Sequence, residues 1–357
     1  MDQEITIVPL QDVGTGGLTT RTFFATEITV SGTTAPKVCA IHDHHLVVAG
    51  ASTAKNTVFI SATDDIDSFS GTGSASIVME DQVVGLKSFR TDLIIFCKNS
   101  IHKLININDS SNIAIVPVTK NVGCLNEHSI QEIGGDLVFL SPDGIRSVAG
   151  TARIGDVELG SVSRQIQAII KNLSNSITSF TITSGVLRSK SQYRLFYSTP
   201  SASTTVSKGI IGTLTTNGFE WSETEGIQAH GFTSQLNFNG VEKQFHGDND
   251  GYIYNHDTGN SFIENGSTFN VDAKYTTPNF DFGDVGTRKT MYYIRISISP
   301  EGTILPTLRV RYDYESLDIP QPDDIVVTGI PIPAVFGDST STFGSAVFGT
   351  SKDPMFR

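Results

Sequence analysis

The chain is short of charge. Only 17% of its 357 residues are Asp, Glu, Lys or Arg, against about 25% in an average soluble domain. The charge it has leans acidic: 37 Asp and Glu against 25 Lys and Arg give a formal net charge of −12. A protein that coats nucleic acid needs a basic footprint to displace counterions from phosphate, so that class is excluded. Long apolar runs are missing, and none reaches the ~18 residues that cross a bilayer. The opening MDQEITIVPL has no basic stretch leading into an apolar core, so no secretory leader is expected. Cysteine is scarce. Cys39, Cys97 and Cys124 are odd in number and far apart, which excludes a disulfide framework and a cysteine-based zinc site. Cys39 and Cys97 lie in apolar strand-like runs and are expected to be buried free thiols. There is no G-x-S-x-G elbow, Walker A loop or G-x-G-x-x-G turn. The chain therefore reads as a non-enzyme, with no catalytic, metal or cofactor residue to assign.

What fills the space is Ser and Thr, 76 residues together, with 33 Gly. That composition favours strands and turns over helices. At about 150 residues per domain, the length predicts two or three units. Short apolar strands recur between Gly, Asn, Asp and Ser clusters. One grammar repeats at 38–61, 83–107 and 130–149: a strand, a tight turn, a very apolar strand (LVVA, LIIF, LVFL), a turn, a third strand. Strands apolar on both faces belong between two packed layers. Similar units follow at 186–221 and 232–254, with Asn217-Gly218 and Asn239-Gly240 as hairpin turns. Five meanders at 30–50-residue spacing predict an all-β fold, a β-propeller-like array of three- to four-stranded meanders over 35–264, after an N-terminal extension at 1–34.

One segment breaks the pattern. Ser161–Leu173 places Val162, Ile166, Ile169, Ile170 and Leu173 at helical spacing, with Ser161 or Ser163 as cap and Lys171 suited to the last turn. Over 265–318 the strands at 268–275, 290–299 and 307–314 alternate strictly, predicting a smaller antiparallel β domain. Residues 319–357 are rich in Pro, Gly and Phe, and Phe336, Phe343 and Phe348 recur in V/T-F-G triplets. They read as aromatic anchors pinning an extended segment to another surface. Phe343→Ala with Phe348→Ala is expected to weaken assembly and leave the propeller folded.

Three constellations invite chemistry. His42, Asp43, His44 and His45 suggest a metal site but fall where a tight turn is needed, and no third ligand is committed. Asp248-Asn249-Asp250-Gly251 resembles the start of a calcium loop, yet Gly comes two positions early and Gly259 stands where the loop's Glu belongs. A hairpin turn fits better. Glu220, Glu223 and Glu225 beside Trp221 hint at glycoside cleavage, but also fit an outer strand.

Gly134–Ser147 (GGDLVFLSPDGIRS), followed by Ser163-Arg164-Gln165-Ile166, resembles the tail nozzle or hub proteins of short-tailed bacteriophages, also called tail tubular protein B or packaged-DNA stabilisation proteins. The units at 48–69 and 84–104 and the Phe-Gly-rich end resemble the same group. The resemblance implies a virion tail protein, made in the bacterial host cytoplasm, that forms a homo-oligomeric, hexameric ring. It implies portal and adaptor proteins and a tail fibre or needle as partners, and a channel that retains the packaged genome and conducts double-stranded DNA without specific binding. The net charge of −12 agrees, since a channel wall that attracted phosphate would hold the DNA back. Surface candidates are the meander turns, Arg90 and Asp92, Asp143 and Arg146, Asp248 and Asp250, with the three Phe anchors. The alternative is a monomeric propeller that binds a carbohydrate receptor; a single Trp lends it little.

Overall fold

The computed structural model describes residues 3–7, 21–25, 30, 36–109, 112–149, 162–199, 207–258, 262–264, 267–269, 271–284, 286–296, 306–327 and 355–356. Phe336, Phe343 and Phe348 lie outside them. The chain divides into two compact units, Met1–Asp257 and Thr258–Arg357.

In the first unit, β1 (Gln3–Ile7) and β2 (Arg21–Ala25) pair antiparallel. The first meander is β3 (Val38–His42), β4 (His45–Ala51), β5 (Ala54–Ile60) and β6 (Ala75–Val78). The second is β7 (Val83–Phe89), β8 (Asp92–Cys97), β9 (Ile101–Ile105) and β10 (Ala114–Thr119). The third is β11 (Gln131–Ile133), β12 (Asp136–Ser141) and β13 (Gly144–Ser147). A 3₁₀ turn at Arg164–Ile166 runs into α1 (Gln167–Asn175). Then come β14 (Thr181–Leu187), β15 (Gln192–Ser198), β16 (Lys208–Thr215) and β17 (Gly218–Glu225). The fifth meander is β18 (Gly231–Leu236), β19 (Glu242–Gly247) and β20 (Ile253–Asn255). Within each sheet the strands lie in chain order, and consecutive meanders stack. The fold is all-β and propeller-like, as the sequence predicts.

The doubly apolar strands sit where two layers meet. On β8, Leu93, Ile95 and Cys97 pack on the first meander, while Ile94 and Phe96 face the third. On β12, Leu137 and Phe139 return that contact, the rings of Phe96 and Phe139 standing 5.2 Å apart. Val138 and Leu140 turn the other way, against Ile166, Ile170 and Leu173 of the helical segment and Tyr193 and Leu195 of β15. Period-two side chains of both parities are thus buried, and full burial of each large side chain is worth about 1.5–3 kcal/mol. Tyr193 is wholly buried and its hydroxyl donates to the Ser129 carbonyl at 2.9 Å. Tyr193→Phe strands that acceptor and should cost about 1–2 kcal/mol in urea unfolding, whereas a neutral result would mean another donor serves it.

Several expectations are corrected. Cys97 and Cys124 are buried but Cys39 is exposed, because it occupies the outward parity of β3. Ser163 does not cap the helical segment; its hydroxyl accepts from the Ile145 amide at 2.8 Å. Lys171 falls mid-helix, since α1 runs on to Asn175. β6 and β10 complete meanders whose first three strands alone were expected. Pro117 and a bulge suit β10 to a sheet edge.

In the second unit, β21 (Phe262–Glu264) pairs with β22 (Ser267–Phe269). β23 (Ile294–Arg295) pairs with β26 (Met355–Phe356), and β24 (Thr307–Leu308) with β25 (Ile325–Val326). The long strands expected at 268–275 and 307–314 do not form. β22 ends at Phe269 and β24 at Leu308, because only Thr307 and Leu308 find partners on β25; a left-handed turn through Asp313, Tyr314 and Glu315 follows further along the chain.

Candidate functional site

The turn residues act as local fasteners. Arg90 occupies the two-residue turn between β7 and β8 at φ 56. Its guanidinium donates to the Gly135 carbonyl of the third meander at 2.8 Å and covers the Phe89 ring at 4.9 Å. Asp92 pairs with Lys103 across β8 and β9 at 3.3 Å. Asp143 sits in the β12–β13 turn and takes a two-pronged contact from Arg146 through Nε (2.9 Å) and Nη2. Arg146 is only 2% exposed, so it is a buried cation, contrary to its expected place on the surface. The hydrogen bonds from Arg146 hold the Asp143 carboxyl below its ordinary range. Gln167 of α1 donates to the Asp143 carbonyl at 2.7 Å, tying the helix to the turn. Asp248 accepts from the amides of Asp250 and Tyr252 at 2.9 and 2.8 Å, which closes a hairpin loop; Asp250 is exposed.

The histidine cluster is also a turn. His42 and His45 are the closing pair, with Asp43 and His44 at positive φ. Each ring has its own partner: His42 with the Ser88 hydroxyl (2.8 Å), His45 with the Ser61 carbonyl (2.7 Å) and Asn108 (3.0 Å), and His44 with Asp64 (2.8 Å). Among the described residues no group of three or more His, Cys, Asp or Glu is placed to hold a metal ion. Glu220 and Glu223 are three apart on β17 and so lie on opposite faces. Glu223 and Glu225, two apart, share one face of the strand, with Glu225 held by Lys208.

What sequence reading missed is a groove of about 610 Å³ beside the third meander. Its apolar lining includes Ile133, Val138, Val162, Leu214 and Phe219; Asp136, Arg164, Gln165 and Asn217 supply polar groups. Trp221 shapes one wall by donating its indole N–H to the Val162 carbonyl at 2.7 Å and stacking on Phe219 at 5.3 Å. At Gly134, φ is +62 and a Cβ would meet Leu214 Cδ2 at 2.8 Å, so a side chain there would crowd the wall. The Asp136 carboxylate is occupied by the amides of Leu137 and Ala149. The groove offers an apolar slot with a cationic rim at Arg164.

No family model and no curated protein matches this chain. Among solved structures it is similar to the N-terminal domain of Nup159 (13% identity, TM-score 0.37, covering 61% of this chain and 59% of that one). It is likewise similar to BBS1N in its complex with ARL6DN (12%, 0.30, 64% and 79%) and to BamB from Moraxella catarrhalis (14%, 0.31, 61% and 68%). The chain thus spans less than two thirds of the Nup159 domain. Likenesses of this degree carry no functional argument, and the propeller-like description stands on the strand topology.

Proposed function

We propose that the protein is a non-enzymatic structural subunit of a short-tailed phage tail nozzle, forming a ring that retains packaged DNA and conducts it on ejection. The observation that carries the assembly role is the contrast between the two units. The first holds three buried apolar clusters. Among the residues of the second whose side chains are described, none is buried. Tyr275 is 90% exposed, Tyr292 80%, Tyr314 72% and Leu317 102%, with Phe280 and Phe282 above 60%. A soluble surface seldom carries that much aromatic area without a protein to cover it. The nozzle assignment is supported by the resemblance of Gly134–Ser147 and Ser163–Ile166. The −12 charge suits a wall that lets phosphate slide.

Negative-stain microscopy of the full chain, alone and with portal–adaptor particles, is the test. Rings with a central pore, or added density below the adaptor, are expected. A persistent monomer that never docks would overturn the proposal and turn attention to glycan binding. Phe280→Ser with Phe282→Ser should lower the ring fraction and leave the first unit's melting unchanged. An unaltered ring fraction would remove these residues from the interface.

A further inference from the structure

The seams between the first four meanders are built around apolar clusters; the seam between the fourth and fifth also buries charge and imidazoles. There the outward parity of β15 carries Arg194, 5% exposed, and Phe196. Phe196 meets Phe232 of β18 at 5.4 Å and His256 at 5.7 Å. The His256 ring meets that of His246, on β19, with Nε2 and Nδ1 2.6 Å apart, one ring donating N–H to the lone pair of the other. His246 is 6% exposed and stacks on Tyr254 at 4.8 Å. The next residue, Asp257, accepts from Arg194 at 3.2 and 2.8 Å and from Lys190 at 2.7 Å. Asp257 is also the last residue of the first unit.

We propose that His246, His256 and the Arg194–Asp257 pair form an acid-released latch, which holds the final strand of the first unit at neutral pH and frees residues 253–258 when both rings take up protons.

A hydrogen bond between two imidazoles survives only while one ring is neutral. Two imidazolium ions cannot share it, and the His256 ion would stand near the cation of Arg194. The charged groups facing the pair are Asp248 toward His246, and Arg194 and Asp257 toward His256, with Lys190 bound to Asp257. Burial lowers His246 to about 4; burial, then His246 and Arg194, lower His256 to about 4. The closed latch therefore binds fewer protons than the open one, where each ring returns to its ordinary 6.5. Closure is fully favoured above that value and is lost as pH falls toward 4. At pH 5 the opening constant rises up to about 30-fold per ring, roughly 10³ for both. The carboxylates act lower. Although burial opposes it, the guanidinium of Arg194 and the ammonium of Lys190 hold Asp257 at about 2, so its carboxylate does not titrate in this window and the pair parts only when the strand is released by the imidazoles.

Hydrogen exchange of the full chain, corrected for intrinsic rates, tests this at pH 7.5 and 5.0. Protection over 253–258 should fall by 10²- to 10³-fold, while the amides of β8 and β12 keep theirs. His246→Asn with His256→Gln should abolish the pH dependence. If that double variant does not fold, His256→Gln alone should leave about 30-fold instead of 10³. Unchanged protection at pH 5, a parallel fall in β8 and β12, or an equally steep fall in the variant would each overturn the latch.

Discussion

Gly123→Ala is expected to cost about 3 kcal/mol or more. A Cβ at this position would lie 2.2 Å from the Lys98 carbonyl oxygen, 2.3 Å from its carbon and 2.5 Å from the Asn99 nitrogen. All three are backbone atoms, so no rotamer change relieves the clash. The backbone they belong to is also fixed. The Cys97 amide donates to the Ser100 carbonyl at 2.8 Å, the Lys98 amide to Gln82 at 2.9 Å, and Asn99 to the Asp81 carboxylate at 2.6 Å. From the other side, the Cys124 amide donates to the Cys97 carbonyl at 2.9 Å, joining the third meander to the second. Alanine must therefore separate the two meanders or break the β8–β9 turn. Gly135→Ala is the control: φ there is +77, but a Cβ meets nothing within 4 Å. Only the backbone penalty of about 1 kcal/mol applies. Urea unfolding of the full chain should place Gly123→Ala far below Gly135→Ala. Equal midpoints would mean that the 98–99 backbone yields.

The second large effect is at Asp143. Asp143→Ala leaves the buried guanidinium of Arg146 without its carboxylate, and an uncompensated buried cation costs about 3 kcal/mol or more. Half the Asp143 side chain is exposed, and solvent reaching the guanidinium through the space it leaves tempers the loss toward the lower end. Asp143→Ala with Arg146→Met removes both charges and keeps an apolar stem of similar length. The double variant should recover most of the stability. The comparison isolates the charge from the packing, and a single variant within about 0.5 kcal/mol of the parent would mean water already solvates Arg146. Because the native Asp143 carboxyl sits below its unfolded value of 3.8, the pair's contribution is present above that value and is lost as pH falls below it.

The strand grammar was legible because it follows from burial. LIIF and LVFL have no polar face, so each needs a layer on both sides, and β8 and β12 have one. The turns were legible from chemistry: Asn239-Gly240 lies between paired strands, the β16–β17 turn falls at Thr216-Asn217 with Gly218 closing it one residue later than expected, and His42–His45 closes on itself. The edge strands β6 (ASIV) and β10 (AIVPVT) were not: the first is four residues long and set off from β5 by a polar loop, and the second carries Pro117. Nor were the long strands expected after 265. Alternation permits a strand, but TLRVRYDY finds a pairing partner only at its start.

The candidate residues divided in the same way. That Asp143 and Arg146 share a turn is visible in the spacing; that Arg146 is buried depends on what packs over it. His246 and His256 are ten residues apart and carried no motif. Their contact arises from the antiparallel register that sets His246 opposite Tyr254, two residues short of His256. The groove joins residues 133–138, 162–165 and 214–219, which no local pattern links. The sequence by itself determined the all-β class, the repeating meander and the acidic balance, because composition and period-two patterning are properties of neighbouring residues. Tertiary structure alone decided which polar side chains became buried fasteners, which stayed on the surface and which seam was built from imidazoles, because those outcomes depend on register and on contacts between residues distant along the chain.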